Sequence, residues 1–360
     1  MHIAIVGSQA SVHVVRWANA LVEKGHRITV ITMHSSKQVF HPDVEVLKLP
    51  FKNPFGYILN IPKVKRILKA LNPDLVHSFY ALGYGFLARH GAHRPILLSV
   101  MGSDVYEDIE HSLILKRIVR KNIVKADVVC STSNIMAAQI QTLISEPIDI
   151  EITPFGVDTT VFHPKIEAQK DDEHDFVIGT AKAMEPKYGI DILINAFAGF
   201  CNKYPQKKFK LMIAGDGTEL PKLKILAKSL KVEKNCDFLG NVANEEIPGL
   251  LRKFNVFVAL SRFDSESFGV AVVEALSCEL PVVVSDAGGL KEVVQHGVSG
   301  IVVSKNNVNE ATKAMVSFFE DVEMSKELGK AGRLRVKSEY EWKDSVIRME
   351  GHYGKLLDIR

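Results

Sequence analysis

Residues 261–274 read SRFDSESFGVAVVE, and this stretch holds two glutamates, Glu266 and Glu274, eight positions apart. The run at residues 254–260 predicts a buried strand that leads into a turn at Ser267–Gly269 and then an apolar helix. Such a helix start places backbone N–H groups and a positive dipole end beside Glu266, and Glu274 about 12 Å further along. This layout suits a ligand with an anionic middle and hydroxylated ends. By spacing alone, a solvated helix face is the commoner explanation.

The rest of the chain alternates strand-like apolar runs with helical periods. The predicted strands are residues 2–6, 27–32, 75–77, 96–100, 128–131 and 150–153 in the first half, and residues 176–180, 210–214, 237–239, 256–260, 281–285 and 300–303 in the second. This alternation predicts parallel sheets with helices on both faces, an α/β fold. Because 360 residues exceed one typical core, we expect two doubly wound domains.

The predicted domain boundary lies near the middle of the chain. Pro154–Asp158 comes first, and the polar stretch from Lys165 to Asp175 has the composition of a linker. We expect an N-terminal domain of residues 1–160 and a C-terminal domain of residues 165–342. Doubly wound sheets bind ligands at the carboxyl ends of their strands, so we expect the chemistry in a cleft between the two domains.

The composition excludes several classes of protein. A hydrophobic content of 46% and a charged content of 24% are typical of a soluble globular chain, and no run approaches the roughly 18 apolar residues of a membrane span. The N-terminus enters a strand directly, which disfavours a signal peptide. The four cysteines form no Cys-x-x-Cys pair, so we expect buried thiols in a reducing cytoplasm. The modest pI of about 8.5 disfavours a nucleic-acid partner.

The positive charge is concentrated in the first half. Residues 1–165 carry 18 Lys and Arg against 13 Asp and Glu, a balance of +5, whereas the remainder carries 27 against 29, a balance of −2. Residues 63–69 and 116–125 hold most of the excess and predict two amphipathic helices with cationic faces. Each face is either simply solvated or docks on an anionic membrane leaflet, where each cation contributes about 1 kcal/mol.

Two lysines form the predicted phosphate site. Lys182 and Lys187 follow a strand and precede a helix, so their ammonium groups can neutralise a diphosphate. Their spacing alone also fits a pair of ordinary surface lysines. Gly215 and Asp216 form a tight turn after another predicted strand, and Gly240 to Val242 follow the next one.

Residues 261–274 resemble the Glu-x7-Glu signature of the retaining glycosyltransferase family four. The resemblance covers nearly the whole chain, from the first strand through Pro154–Asp158 and Lys187 to a terminal helix at Trp342. It implies the GT-B fold, in which two Rossmann-like domains face each other and the last helix, here about residues 343–360, crosses back to the first domain. It also implies metal-independent transfer of a hexose or N-acetylhexosamine from a nucleotide diphosphate sugar to a hydroxyl acceptor.

The resemblance assigns roles to residues of the C-terminal, donor-binding domain. Glu266 would hold the hydroxyls of the donor sugar, and Glu274 would bind the ribose. The remaining donor-binding predictions are Lys182, Lys187, Gly215, Asp216, Gly240, Val242, Phe268, Gly269 and Val270. A double displacement needs two carboxyl groups about 5–5.5 Å apart, closer than the spacing expected for the two glutamates. The family's front-face step, in which the departing phosphate takes the acceptor proton, avoids that requirement.

The N-terminal domain would bind the acceptor, a glycan or lipid-linked glycan. The acceptor-side predictions are Ser8, His13, Arg16 and Asp104, and the catalytic predictions are Glu266, Asp104 and Lys187. Two positions depart from the family pattern: Lys182 replaces an arginine, which removes bidentate geometry, and Met101 replaces a histidine near the donor sugar. No metal or other cofactor is implied.

Two other functions remain open for this sequence. A nucleotide-sugar epimerase of the same fold would keep the donor residues without an acceptor surface. A non-catalytic nucleotide-sugar sensor is the other alternative, and the absence of the histidine at position 101 favours it. For the transferase, we expect a cytoplasmic enzyme, peripheral on the inner face of the cell membrane, in bacterial surface-polysaccharide synthesis.

Overall fold

A computed structural model of the chain describes residues 1–36, 38–165 and 174–358. These residues form two compact units, one of Met1–Pro154 with the C-terminal residues from Asp344 onward, the other of Phe155–Lys343. Most of the predicted linker, residues 166–173, lies outside the described residues.

The first unit is built on a sheet of seven parallel strands. They are β1 (His2–Val6), β2 (Arg27–Thr32), β3 (Glu45–Lys48), β4 (Leu75–Phe79), β5 (Ile96–Ser99), β6 (Val128–Ser131) and β7 (Ile150–Ile152). Their spatial order is β3-β2-β1-β4-β5-β6-β7, so the direction of winding reverses between β1 and β4. β4 and β5 are fully buried, as strands covered by helices on both faces must be.

The second unit repeats this architecture with six parallel strands. They are β8 (Phe176–Ala181), β9 (Phe209–Ala214), β10 (Cys236–Gly240), β11 (Val256–Ala259), β12 (Val282–Ser285) and β13 (Ile301–Val303). The order β10-β9-β8-β11-β12-β13 reverses between β8 and β11. The predicted fold class, two doubly wound α/β domains, is therefore confirmed.

Helices connect the strands and cover the sheets. In the first unit they are α1 (Val12–Glu23), α2 (Gly56–Leu59), α3 (Ile61–Leu71), α4 (Gly83–His90), α5 (Leu113–Lys125) and α6 (Asn134–Thr142). In the second unit they are α7 (Ile190–Lys203), α8 (Leu220–Ser229), α9 (Ile247–Leu251), α10 (Val270–Ser277), α11 (Leu290–Val293), α12 (Val308–Glu320) and α13 (Val322–Glu339), and the last described helix is α14 (Trp342–Asp358). The two predicted basic helices are α3 and α5.

Every predicted strand overlaps an observed one, and among the strands of the described residues β3 alone was not predicted. This strand pairs with β2 alone, and its sequence, EVLK, has no buried residue. Such an edge strand lacks the apolar run that marks a buried strand.

The predicted return of the C-terminal helix to the first unit is confirmed. Tyr353 of α14 is buried, and its hydroxyl lies 2.6 Å from Nδ1 of His77 on β4. Nε2 of His77 lies 2.8 Å from the Ser99 hydroxyl on β5, so both ring nitrogens are hydrogen bonded. A second contact joins His26 to Glu350 of α14 at 2.8 Å. His77 is thus a structural residue that ties α14 to the sheet.

We expect acid to weaken this attachment. Burial lowers the pKa of His77 to about 3, against 6.5 for an unperturbed histidine. Between these values the unfolded chain binds the extra proton, so stability is fully present above pH 6.5 and falls as the pH decreases toward 3. The contribution of His77 should decrease by about 2 kcal/mol between pH 7.5 and pH 5.

Urea unfolding at both pH values measures this contribution. His77→Gln should reduce the pH-dependent loss of stability by about that amount, whereas His111→Gln, at a side chain that is 90% exposed, should leave it unchanged. An equal pH dependence in wild type and His77→Gln would contradict the assignment of a buried, neutral His77.

Candidate active site

The predicted donor residues gather at the carboxyl edge of the second sheet. Lys182 directly follows β8, and Ser261 follows β11, the strand that pairs with β8 where the winding reverses. In parallel α/β sheets, ligands bind at this kind of switch point because the loops on either side diverge.

Lys182 and Glu266 form an ion pair at this switch point. Nζ of Lys182 lies 2.8 Å from Oε2 of Glu266, and their side chains are only 10% and 11% exposed. The Ser261 hydroxyl donates to the same carboxylate oxygen at 3.1 Å. The carboxylate is therefore held in a fixed position, and its other oxygen can accept hydrogen bonds from a polyol.

α10 begins where the sequence predicts, directly after the turn at Ser267–Gly269. The helix begins at Val270, because Gly269 has a φ of 87°, and Glu266 therefore precedes the helix. The predicted distance of 12 Å between Glu266 and Glu274 was calculated as if all the residues between them were helical. That assumption was wrong, because the residues before Val270 are not part of the helix. Glu274 lies about one turn into α10 and is half-buried.

Free backbone donors lie at the start of α10. Among the described residues, no hydrogen bond uses the backbone N–H of Phe268, Gly269 or Val270. Three consecutive unsatisfied N–H groups at a helix N-terminus form a favourable environment for an anion.

A glycine pair that the sequence analysis missed supports the loop around Glu266. Gly288 and Gly289 follow β12, and their N–H groups donate to Asp264 Oδ1 at 2.9 Å and to the Glu266 carbonyl at 2.8 Å. A Cβ at Gly289 would overlap the Ser267 carbonyl, and one at Gly288 would overlap the Glu266 carbonyl. Two adjacent glycines in the loop after a predicted strand were the available signal for this close approach.

Arg262, in the segment of residues 261–274, connects the loop around Glu266 to the loop that carries Lys187. Its backbone N–H donates to the Lys187 carbonyl at 2.7 Å, and its Nη1 donates to the Pro186 carbonyl at 2.7 Å. Its Nη2 pairs with Asp191 at 2.5 Å. The loops after β8 and β11 are thereby fixed to each other. Arg262 had no predicted role.

The remaining donor-side predictions follow β9 and β10 at the same edge of the sheet. The Gly215 N–H donates to the Gly240 carbonyl at 2.7 Å, and a Cβ at Gly215 would overlap the Lys182 carbonyl. Asp216 is exposed and Val242 is half-buried. The predicted donor-binding residues thus lie in the strand ends and loops of this sheet edge, except Val270 and Glu274, which lie in the first turns of α10.

Asp104, a catalytic and acceptor-side prediction, is completely buried in the first unit. Its carboxylate accepts from the backbone N–H groups of Ala81 at 2.5 Å, Gly102 at 2.8 Å and Met101 at 3.1 Å. Burial raises the pKa of Asp104 to about 6, although the amides oppose that shift. In this structure Asp104 positions the loops after β4 and β5, and its predicted catalytic role stays a prediction.

The other acceptor-side predictions lie at the carboxyl end of β1 and in α1. The Ser8 hydroxyl accepts from the Ala10 N–H at 3.2 Å. His13 and Arg16 are half-buried on the first turns of α1. Burial and the neighbouring Arg16 lower the pKa of His13 to about 4, so this imidazole is neutral at pH 7.

The described residues hold neither a metal-binding cluster nor a membrane-spanning helix. No group of three or more of their His, Cys, Asp or Glu side chains is arranged to hold a metal ion. None of their helices has the length and hydropathy needed to cross a bilayer. Metal-independent activity stays a prediction.

Two family models match the sequence, one in each half. The model described as "Glycosyl transferases group 1" matches residues 162–335, and the one described as "Glycosyl transferase 4-like" matches residues 2–133. Among curated relatives, the N-acetyl-alpha-D-glucosaminyl L-malate synthase of Bacillus anthracis is 24% identical over 356 residues, which cover 94% of this chain and 91% of the relative.

Solved structures share the fold over the whole chain. Sucrose-phosphate synthase of Thermosynechococcus elongatus aligns with a TM-score of 0.85 at 20% identity and covers 100% of both chains. HepE of Anabaena, in complex with UDP and glucose, aligns with a TM-score of 0.83 at 20% identity and covers 99% of both chains. These two alignments identify the architecture as GT-B.

Proposed function

We propose that this chain, a glycosyltransferase by the domains that both its halves carry, moves a hexose or N-acetylhexosamine from a nucleotide diphosphate sugar to a hydroxyl acceptor with retention of configuration. The observation that carries the proposal is the Lys182–Glu266 pair, 2.8 Å apart at the switch point of the second sheet. HepE, which shares the fold, was crystallised with UDP and glucose, and this supports a nucleotide-sugar donor.

Each part of the donor has a chemically matched group at this edge. The sugar hydroxyls hydrogen bond to the Glu266 carboxylate, and the diphosphate binds Lys182, Lys187 and the free N–H groups at the start of α10. Glu274 accepts hydrogen bonds from the ribose hydroxyls, as an acidic residue does in dinucleotide sites.

The proposed reaction exchanges one bond at the anomeric carbon for another. The bond from this carbon to the phosphate oxygen breaks, and a bond to the acceptor oxygen forms on the same face. The electron pair of the broken bond stays on the phosphate oxygen, which takes the proton of the acceptor hydroxyl. The enzyme stabilises the diphosphate charge and the oxocarbenium-like sugar, so catalysis depends on positioning and electrostatics.

A panel of nucleotide-sugars tests the donor assignment. We expect one nucleoside diphosphate sugar at about 100 times its Kd to stabilise the protein by about 2.7 kcal/mol, seen as a rise in Tm, while the free sugar has no effect. Product analysis then distinguishes the functions. Transfer to an added acceptor supports the proposal, and conversion of the donor without an acceptor would instead support an epimerase. Binding without any turnover would support a sensor.

We also propose that the acceptor is a lipid-linked glycan and that the enzyme reaches it at an anionic membrane surface. Helices α3 and α5 together carry nine Lys and Arg residues and no Asp or Glu. Large apolar side chains are exposed nearby: Phe55 (73%), Ile58 (62%), Leu113 (74%) and Ile114 (69%). Exposed apolar residues beside a cationic face are the features of interfacial membrane binding.

Vesicle binding measures this surface directly. Replacing Lys116, Arg117, Arg120 and Lys121 by glutamine should weaken binding to vesicles with anionic lipids by about 100-fold or more at low salt. The matched control removes four exposed lysines from the second unit: Lys222, Lys224, Lys228 and Lys231. Equal losses of vesicle affinity in both variants would show that binding depends only on net charge. An α5 variant that binds vesicles as well as wild type would contradict this docking surface.

A further inference from the structure

One aromatic ring contacts both lysines of the proposed diphosphate site. Nζ of Lys182 and Nζ of Lys187 each lie 5.2 Å from the centroid of the Tyr188 ring. Both distances are within the range in which an ammonium group is attracted to an aromatic face. The two ammonium groups are therefore at most twice that distance apart. Tyr188 had no predicted role.

The surroundings of Tyr188 hold its ring in place. It ends a short turn, Pro186–Tyr188, and the next residue, Gly189, has a φ of 62°. A Cβ at Gly189 would overlap the Leu260 carbonyl, so this turn lies directly against the end of β11. The ring also packs on the core of the second unit. Arg262, which donates hydrogen bonds to the Pro186 and Lys187 carbonyls, also holds this turn.

Two cations that must act on one ligand repel each other and have flexible stems. Lysine presents a point charge on a chain with several rotatable bonds, unlike the rigid fork of arginine. An aromatic face attracts both ammonium groups without neutralising them, because the ring carries a quadrupole and no net charge. Glu266, in contrast, neutralises Lys182 when it pairs with it. Tyr188 is therefore the neighbour that can keep both cations at the site while they remain available to an anion.

We propose that Tyr188 is a positioning residue that holds Lys182 and Lys187 together as a two-cation clamp, so that the site binds a diphosphate in preference to a monophosphate. This inference rests on the proposed function, which places the donor diphosphate at these lysines. A diphosphate offers oxygens to both ammonium groups at once, whereas a monophosphate engages one. Loss of the ring should therefore reduce the binding affinity for a diphosphate more than the affinity for a monophosphate.

The test compares nucleoside diphosphate with nucleoside monophosphate affinity in three proteins. Isothermal titration with UDP and UMP, or with the GDP or ADP pair if that base binds better, gives a Kd ratio for wild type, Tyr188→Phe and Tyr188→Leu. We expect Tyr188→Leu to weaken diphosphate binding by about 5- to 30-fold and monophosphate binding by less than about twofold. Tyr188→Phe, which keeps the aromatic face, should retain the wild-type ratio.

A second series keeps the shape of the ring and covers the case in which Tyr188→Leu does not fold. Phenylalanines with increasing fluorination, incorporated at position 188, weaken the negative face of the ring while conserving its volume. The preference for diphosphate should decline with each added fluorine. A diphosphate preference that stays constant across the fluorinated variants would contradict the proposed clamp. Equal losses of UDP and UMP affinity in Tyr188→Leu would also contradict it. If wild type binds no nucleoside diphosphate, the proposed function fails instead, so the two failures are distinguishable.

Discussion

Glu266→Gln should slow sugar transfer by about 10²- to 10³-fold, the size of effect seen when one preorganised electrostatic group is removed. The carboxylate is fixed by Lys182 at 2.8 Å and by the Ser261 hydroxyl at 3.1 Å. The amide keeps the volume and loses the charge that stabilises an oxocarbenium-like sugar. Affinity for a nucleoside diphosphate should be unchanged or tighter, because Lys182 loses its anionic partner.

Steady-state kinetics and titration with the nucleoside diphosphate separate these two effects. Glu323→Gln, at an exposed glutamate in the first turn of α13, is the matched control and should behave as wild type. Glu274→Gln should instead raise the Kd of the nucleotide, in keeping with its proposed contact to the ribose. A Glu266→Gln enzyme that binds normally and transfers at the wild-type rate would remove Glu266 from the catalytic assignment.

Asp104→Ala should lower the free energy of unfolding by about 3–5 kcal/mol, because it leaves several buried backbone donors without an acceptor. Those donors are the N–H groups of Ala81, Met101 and Gly102. For a domain of this size the loss corresponds to a decrease in Tm of about 10 °C. Calorimetry of the full chain measures it.

The conservative change at the same position separates the two roles considered for Asp104. Asp104→Asn keeps one acceptor oxygen, so it should retain more stability than Asp104→Ala. If Asp104 only positions its loops, the activity of Asp104→Asn should follow its stability. A well-folded Asp104→Asn protein that turns over about two orders of magnitude more slowly than wild type would instead support the predicted catalytic role. An Asp104→Ala protein as stable as wild type would contradict the buried-acceptor assignment.

The buried strands could be predicted because each is a short apolar run, which burial on both faces of a parallel sheet requires. The edge strand Glu45–Lys48 could not, since it is half polar and defined by its pairing with β2. The start of α10 after the Ser267–Gly269 turn could also be predicted, because glycine readily adopts the left-handed conformation that Gly269 has here. The predicted distance from Glu266 to Glu274 was wrong because it counted the residues of that turn as helical.

In the candidate site, too, features set by local sequence could be predicted, and features set by contacts between distant segments could not. The positions of Glu266, Lys182 and the glycines at 215 and 240 beside the strand ends could be predicted, because local motifs after strands carry them. The contacts of Arg262 could not be predicted, because they join loops that are far apart in sequence: its guanidinium donates to the Pro186 carbonyl, 76 positions away. The position of Lys182 beside the Tyr188 ring likewise depends on the fold of the loop after β8. Asp104 was predicted as a ligand-binding carboxylate, and only the surrounding amides reveal its use as an internal acceptor.

The path of the chain has a consequence for synthesis on the ribosome. The second unit is one continuous segment, Phe155–Lys343, whereas the first unit needs residues from Asp344 onward, including Tyr353 against His77. Domains generally fold as they emerge, from the N-terminus onward. Here the N-terminal sheet is translated first. The surface that α14 covers stays exposed until the inserted unit and the last helix have been made. The half of the protein that begins synthesis is therefore the half that finishes folding last.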